Sequence, residues 1–135
     1  MFVSKIMSRE TVVLDMTDNL ETAARLMEYH GIASMPVCQD KKVRGIITDR
    51  DIALLAARGI SPQNIAVKDV MSKRAVTVDA SADVSEALEL MSEHKLRRLP
   101  VTMKGNIVGM VSLGDIARTN SFSMEAARVF LEIAK

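Results

Sequence analysis

Two stretches of the chain place apolar residues at the positions that form one face of a helix. Their apolar positions recur at i, i+3, i+4 and i+7, which is the period of an amphipathic helix. They are Leu20, Ala23, Ala24 and Met27 in the first stretch, and Val84, Ala87, Leu88 and Met91 in the second. Thr17 and Ser81 precede the two stretches and are the predicted N-caps, because a hydroxyl oxygen can accept a hydrogen bond from a first-turn amide.

Short runs rich in β-branched residues lie on both sides of each predicted helix. The runs 11–14 and 75–78 predict one brief strand ahead of each helix. Two further strands are predicted after each helix, around polar turns at 40–42 and 104–106. Each half of the chain therefore begins with the order strand, helix, strand, strand.

A second helix is predicted to close each half. The first runs from about Asp51 to Arg58 and ends before Gly59, a residue typical of helix C-termini. The second begins near Asp115, and the apolar positions in 121–135 predict one more helix after it.

The same layout occurs twice in the chain. The segment His30–Asp51 is repeated without a gap as His94–Asp115, and the offset is 64 residues because 94 − 30 and 115 − 51 both equal 64. Gap-free registration is typical of a duplicated supersecondary unit. We therefore predict an α+β fold of two tandem β-α-β-β-α repeats, 1–60 and 61–120, packed about a pseudo-twofold axis, with a helical extension at 121–135. Each repeat is too small for a good core alone, so equivalent loops are expected to face each other across a cleft.

Composition narrows the class of protein. The 135 residues are 48% hydrophobic and 3% aromatic, and the net charge is +1, so nothing favours binding to nucleic acid or to a membrane. The single cysteine, Cys38, excludes an internal disulfide and fits a reducing compartment. Neither a signal peptide nor a membrane-spanning run is visible, and we expect a cytoplasmic protein.

Each repeat contains the motif Gly-Φ-Φ-Thr/Ser-x-x-Asp at a predicted strand-to-helix junction. The motif runs from Gly45 to Asp51 and from Gly109 to Asp115. Thr or Ser followed three residues later by an acid is a capping box, which is the more common interpretation on spacing alone. A carboxylate at a helix start can also accept hydrogen bonds from both ribose hydroxyls, and a helix N-terminus suits a phosphate. Both interpretations stay open, because neither excludes the other.

The ordered set of motifs resembles the CBS domain. It comprises a Val-x-Asp-Val-Met entry at 67–71, a helix exit of the form His-x-Φ-x-x-Φ-Pro-Val, and the Gly-Φ-Φ-Thr/Ser-x-x-Asp loop, and the repeats extend to about Thr119. Tandem CBS domains form a pair, often called a Bateman module, that binds AMP, ADP, ATP, S-adenosylmethionine or related adenosyl compounds between its repeats. The resemblance implies that the loop Asp holds the ribose and that the Thr or Ser lies on its phosphate side.

The resemblance also implies two pseudo-equivalent sites, each built from one repeat's Asp and the other repeat's loops. The residues implied for the Asp51 site are Thr48, Asp51, Lys73, Arg74, Ala75, Val76, Leu96, Arg97, Arg98 and Pro100. Those implied for the Asp115 site are Arg9, Thr11, Val12, Ile32, Ala33, Ser34, Pro36, Ser112 and Asp115.

The two sites differ in charge. Four basic residues lie near the expected phosphate end of the Asp51 site, whereas in the Asp115 site Arg9 is offset by Glu10. Guanidinium groups form paired, charge-assisted hydrogen bonds with phosphate. We therefore expect the Asp51 site to favour phosphorylated adenosine ligands. The Asp115 site is expected to be empty, weaker, or suited to an uncharged or cationic adenosyl group. The alternative is that the basic residues form only a solvated patch.

The predicted function is a regulatory module, not an enzyme, that senses AMP, ADP or ATP without a required cofactor. The alternatives are a binder of S-adenosylmethionine or methylthioadenosine, and a ligand-free oligomerisation or interaction scaffold. We expect a homodimer formed through apolar positions of the closing helices, and an effector protein of unknown identity. The candidate dimer positions are Ile52, Leu54, Leu55 and Ile116.

Other reactive residues are interpreted as structural. His30 and His94 recur at helix ends without partners at metal-ligand spacing, so no metal site is predicted. Cys38 is expected to be a buried thiol, and the chain has no nucleophile elbow, P-loop or HExxH motif.

Overall fold

The computed structural model of the chain describes residues 1–135, apart from the side chain of Asn120. The strands are β1 (Leu14–Asp15), β2 (Ser34–Gln39), β3 (Lys42–Thr48), β4 (Val78–Asp79), β5 (Arg98–Met103) and β6 (Asn106–Ser112). The helices are α1 (Leu20–His30), α2 (Asp49–Ala57), α3 (Val84–His94), α4 (Leu113–Ala117) and α5 (Ser123–Ala134). The order β-α-β-β-α occurs twice and α5 follows, so the predicted α+β class and the repeated element order are confirmed.

The chain divides into two compact units whose limits differ from those of the sequence repeats. One, the carboxy-terminal unit, consists of Met1–Thr11 and Val76–Lys135. The other, the central unit, is Val12–Ala75. The entry segment of each repeat therefore packs with the remainder of the other repeat. Val3 and Val67, which are equivalent in the two repeats, are both fully buried in the core of the unit that they enter.

Each unit contains the same three-strand arrangement. In the central unit β1 pairs with β2 in parallel, and β2 pairs with β3 in an antiparallel hairpin. In the carboxy-terminal unit β4, β5 and β6 pair in the same way. The hairpin register shifts between Val37 and Cys38 in one unit and between Val101 and Thr102 in the other, so even the irregularity is duplicated.

The predicted helix caps Thr17 and Ser81 are wrong. The N-cap of α1 is Asn19 and that of α3 is Asp83, and each side chain accepts a hydrogen bond from an amide of its first turn. Thr17 is occupied elsewhere, because its amide and hydroxyl both donate to Asp15 Oδ2, at 3.1 and 2.6 Å. Ser81 forms the equivalent pair of hydrogen bonds, so this local turn delays the helix start in both repeats.

The closing helices contribute less to the surface than the sequence suggests. Leu55 is 9% exposed and Ile116 is fully buried, because both pack into the core of their own unit. The prediction that these two residues form a dimer surface is therefore wrong, whereas Leu54 is 51% exposed. None of the helices in the described part of the chain is long and apolar enough to cross a lipid bilayer.

Candidate functional site

The Thr48–Asp51 motif forms the start of α2. Thr48 is the N-cap and has an extended backbone, and its Oγ1 accepts a hydrogen bond from the Asp51 amide at 3.2 Å. The Thr48 amide in turn donates to Asp51 Oδ2 at 2.9 Å. This reciprocal pair is a capping box, which satisfies two amides near the helix start. The structural interpretation of the motif is confirmed, and it occupies Oδ2 of Asp51.

The Ser112–Asp115 motif forms the same capping box at the start of α4. The Asp115 amide donates to Ser112 Oγ and the Ser112 amide donates to Asp115 Oδ2, both at 3.0 Å. Asp115 has a further partner, because Arg118 Nη2 donates to its Oδ1 at 2.6 Å. Both carboxylate oxygens of Asp115 therefore accept hydrogen bonds, one from the N-cap Ser112 and the other from Arg118 at the C-cap of α4.

Asp51 lacks the ion pair that Asp115 forms. The residue equivalent to Arg118 is Leu54, since 118 − 64 = 54, and no basic side chain in the described part of the chain forms an ion pair with Asp51. Asp51 is half-buried and its position is fixed by the cap, so its Oδ1 is a positioned acceptor without a cation beside it.

In the central unit, β3 closely approaches the segment after Val67. Ile46 and Ser72 exchange backbone hydrogen bonds at 3.0 and 2.9 Å. A Cβ on Gly45 would lie 2.5 Å from Met71 Sδ and 2.6 Å from the Ser72 carbonyl oxygen, so only glycine fits there. Lys73 and Arg74 follow this contact directly, and both side chains are exposed.

The carboxy-terminal unit repeats this contact with residues from the start of the chain. Ser8 and Met110 exchange backbone hydrogen bonds at 2.8 and 2.9 Å. A Cβ on Gly109 would lie 2.6 Å from the Ser8 carbonyl oxygen. Arg9 and Glu10 follow at the positions equivalent to Lys73 and Arg74, and both are exposed. The two units thus share a backbone arrangement but carry different charges on it.

Each helix start also contacts the loop that precedes the proline of its own repeat. The Asp49 amide donates to the Ala33 carbonyl at 2.9 Å, and the Leu113 amide donates to the Arg97 carbonyl at 2.8 Å. The loop 32–34 therefore adjoins the α2 start, and 96–98 adjoins the α4 start. The predicted combination of each Asp with the other repeat's loop stays a prediction.

Each predicted site draws residues from both compact units. For the Asp51 site, the central unit holds Thr48, Asp51, Lys73, Arg74 and Ala75, and the carboxy-terminal unit holds Val76, Leu96, Arg97, Arg98 and Pro100. For the Asp115 site, the carboxy-terminal unit holds Arg9, Thr11, Ser112 and Asp115, and the central unit holds Val12, Ile32, Ala33, Ser34 and Pro36.

The carboxy-terminal unit contains a cavity of about 670 Å³ that the sequence did not predict. Arg97, Arg98 and Ser112 are among its polar lining residues, and α5 contributes apolar lining residues that include Phe130 and Leu131. The periodicity of 121–135 indicated a helix, and α5 confirms that helix. The periodicity does not indicate which part of the protein this helix packs against.

No metal centre is visible in the part of the chain that the structure describes, since no three His, Cys, Asp or Glu side chains come together there as ligands. Cys38 lies in β2 and is 6% exposed, which confirms the prediction of a buried thiol. Burial raises the pKa of the Cys38 thiol and so disfavours the reactive thiolate.

Comparison with known proteins identifies both repeats. Residues 3–58 and 67–121 each match the sequence profile of the CBS domain. The CBS domain-containing protein YhcV of Bacillus subtilis is 36% identical over 126 residues, which cover 93% of this chain and 89% of that protein.

Two solved structures have the same fold over most of their length. The crystal structure of Hypoxic Response Protein I with two coordinated zinc ions has a TM-score of 0.81 and 33% identity, and the match covers 88% of this chain and 98% of that one. The CBS domain pair of protein MJ0100, in complex with 5′-methylthioadenosine and S-adenosyl-L-methionine, has a TM-score of 0.76 and 25% identity, covering 87% and 98%.

Proposed function

Because the chain belongs to the CBS domain family and carries two copies of the domain, we propose that it is a regulatory module that binds an adenosine-containing ligand. The ligand class that we favour is the adenine nucleotides AMP, ADP and ATP. In this proposal binding alters the arrangement of the repeats or of two protomers, which requires the ligand to bind one arrangement more tightly than another.

The observation that carries the proposal is the state of Asp51. Its Oδ2 is held by the Thr48 amide, and no described cation pairs with its carboxylate. A carboxylate fixed in this way loses little side-chain entropy when a ribose hydroxyl donates to Oδ1. Ribose binding and helix capping are therefore compatible at Asp51, with one carboxylate oxygen for each role.

Preference for a phosphorylated ligand rests on uncompensated positive charge. Lys73, Arg74, Arg97 and Arg98 are the basic residues assigned to this site, and in the described part of the chain none of them forms an ion pair. Charge-assisted hydrogen bonds from such groups to phosphate oxygens are about twice as strong as neutral ones.

The second candidate ligand class is S-adenosylmethionine or methylthioadenosine, at the Asp115 site. Arg118 already neutralises Asp115, and Arg9 is followed by Glu10, so this site offers a phosphate less net positive charge. The similar MJ0100 pair is solved with 5′-methylthioadenosine and S-adenosyl-L-methionine, which favours this ligand class for a site without a phosphate-binding cluster.

We also propose that the module works as a homodimer and acts on an effector protein, without catalysis of its own. The exposed Leu54 on α2 is the residue of the predicted dimer surface that the fold leaves available. Sedimentation equilibrium of wild type and Leu54→Asp tests this point, and a monomeric wild type would contradict it.

Calorimetric titration of AMP, ADP, ATP, S-adenosylmethionine and methylthioadenosine tests the proposed function. Asp51→Asn keeps an oxygen that can accept from the Thr48 amide but removes the charge, so we expect it to weaken nucleotide binding by about tenfold or more without unfolding the protein. Asp49→Asn is the matched control, because Asp49 lies in the same helical turn and outside the capping box.

Two results would contradict the proposal. Unchanged nucleotide affinity in Asp51→Asn would remove Asp51 from the site. A melting temperature that none of the five ligands raises would favour the ligand-free interaction scaffold. A ligand that binds the folded protein stabilises it by about 2.7 kcal/mol at a hundred times its Kd.

A further inference from the structure

The cavity in the carboxy-terminal unit is formed where α5 packs beside α4 and the end of the β5–β6 hairpin. Its volume is about 670 Å³, which lies within the usual range of small-molecule sites, roughly 300–1,000 Å³. Ala126, Ala127, Phe130 and Leu131 line it from α5, and Leu113 and Ala117 line it from α4. These walls are apolar, and they include a helix that lies outside the two CBS repeats.

Two arginines also line the cavity and give it positive charge without a counter-ion. Arg97 and Arg98 both line it, and neither forms an ion pair with a described residue. The Arg98 side chain is half-buried, and its Nε is fully shielded from solvent without a hydrogen-bond partner in the described chain. Because solvent does not reach Nε, a ligand in the cavity would meet the remainder of the Arg98 guanidinium group and the exposed Arg97. Two guanidinium groups without a carboxylate beside them favour an anionic ligand.

The arginines and the apolar wall of the cavity each favour a different part of a bound molecule. A small inorganic anion would satisfy Arg98 but would leave the apolar wall of α5 in contact with water. A neutral apolar molecule would cover Phe130, which is 48% exposed, and Leu131, which is 64% exposed, but would leave the Arg97 and Arg98 guanidinium groups without a counter-ion. Only a molecule with an anionic head and an apolar body matches both features.

We propose that this cavity binds an amphipathic carboxylate, with the carboxylate at Arg98 and Arg97 and an alkyl chain along α5. A guanidinium group binds a carboxylate with paired hydrogen bonds, and burial of the alkyl chain against Phe130 and Leu131 adds affinity. This inference goes beyond the proposed nucleotide function. Because Arg97 and Arg98 are also assigned to the Asp51 site, the carboxylate and a phosphorylated nucleotide compete for the same cations.

Calorimetric titration with decanoate, below its micellar concentration, tests the inference on the full chain. Decanol and acetate serve as matched probes, because decanol lacks the charge and acetate lacks the alkyl chain. We expect decanoate to bind and both other probes to bind at least about tenfold more weakly, since each lacks half of the required contacts.

Two variants and a control locate the binding. Arg98→Gln removes the charge and is expected to weaken decanoate binding by roughly ten- to a hundredfold. Ala127→Trp fills the cavity from an exposed position on α5 and is expected to abolish binding. Arg128→Gln is the control, because Arg128 is an exposed arginine on the same helix that does not line the cavity. Melting curves of all three variants establish that they are folded.

Several results would overturn the inference. These are decanoate binding that survives Ala127→Trp, equal binding of decanol and decanoate, and no decanoate binding at all. In the last case a dimer that dissociates in Leu131→Asp would identify a second copy of the chain as the occupant of the apolar wall. AMP titrations of the same proteins keep this inference separate from the nucleotide proposal, because Asp51→Asn tests the nucleotide site and Ala127→Trp tests the cavity.

Discussion

At the start of α4 both oxygens of Asp115 accept hydrogen bonds, one of them from Arg118 at 2.6 Å, whereas at the start of α2 Asp51 has no cation beside it. The backbone around these two acids is otherwise the same, with a capping box, a glycine that admits the neighbouring segment, and a hydrogen bond to the pre-proline loop. The two repeats thus share the contacts that the fold requires, whereas the side chains around the two acids differ. Function is therefore expected to differ between two regions that fold alike.

The largest effects are expected where the duplicated backbone leaves no space. Gly45→Ala and Gly109→Ala each place a Cβ within 2.6 Å of a carbonyl oxygen, so both should lower the free energy of unfolding by about 1–3 kcal/mol or more. Urea denaturation measures the loss. Gly114→Ala is the control and should leave stability unchanged or raise it by up to about 1 kcal/mol, because its Cβ would lie 3.4 Å from the flexible end of Arg118 and alanine favours a helix. A large loss of stability in one of these two variants and none in the other would contradict the structural equivalence of the two glycines.

The two N-caps should contribute equally to stability but unequally to binding. Thr48→Ala and Ser112→Ala each remove the hydroxyl that accepts the Asp51 or Asp115 amide, so each should lower the free energy of unfolding by about 1 kcal/mol. Only Thr48→Ala is expected to weaken nucleotide binding as well. Thr48→Ser keeps the hydroxyl and should restore both properties. Equal losses of affinity in both alanine variants would contradict the assigned difference between the sites.

Acid should destabilise both repeats through equivalent carboxylates. The Thr17 hydroxyl, and then its amide, lower the pKa of Asp15, and Ser81 lowers the pKa of Asp79 in the same way. A folded-state pKa below the unfolded value means that this stabilisation is present above about pH 4 and is lost as the pH falls further. Urea denaturation from about pH 6 to about pH 2 should therefore show a shallower loss of stability in Thr17→Val and in Ser81→Ala.

The exposed Ser61, whose side chain caps no helix, provides the control for this pH series. Ser61→Ala should follow the wild-type profile. If Thr17→Val loses stability with falling pH in the same way as wild type, the hydrogen bonds from Thr17 to Asp15 do not contribute to acid sensitivity. If only one of the two substitutions changes the pH dependence, the equivalent turns of the two repeats do not contribute equally.

The smallest effects should come from exchanging Arg118 and Leu54, the equivalent residues that give Asp115 an ion pair and leave Asp51 without one. Arg118 is 74% exposed, so Arg118→Leu should change stability by less than about 1 kcal/mol. It should nevertheless make the Asp115 site more like the Asp51 site and raise its affinity for an adenosyl ligand by up to about fivefold. Leu54→Arg is the reciprocal change and should weaken binding at Asp51 to a similar extent. Calorimetry of both variants with AMP and methylthioadenosine measures the exchange.

Sequence was sufficient where a local pattern dictates a local structure. The helical period in 20–30 and 84–94 placed α1 and α3, and the Thr48-x-x-Asp51 spacing gave the capping box, because both depend only on neighbours along the chain. It was insufficient where two local structures compete. Thr17 is a good N-cap residue, but Asp15 engages its hydroxyl first, and Asn19 caps α1 instead.

Long-range packing was also beyond the sequence pattern. The burial of Leu55 and Ile116 depends on which face of a short helix packs against the core. The presence of an apolar residue does not by itself indicate whether it packs within its own chain or against a partner. The same holds for α5, whose periodicity predicts a helix but not a cavity beside Arg98. The exchange of entry segments between the two repeats likewise depends on the burial of Val3 and Val67, which no local sequence pattern indicates.

A parallel AMP titration of wild type, Asp51→Asn and Asp115→Asn by isothermal calorimetry tests whether Asp51, and not Asp115, binds the nucleotide. Both substitutions keep an oxygen for the capping box, so loss of the cap does not distort the comparison. We predict that Asp51→Asn lowers AMP affinity by about tenfold or more while Asp115→Asn leaves it within about twofold of wild type. Equal losses of affinity in the two variants, or a loss confined to Asp115→Asn, would contradict the assignment of the nucleotide site to Asp51.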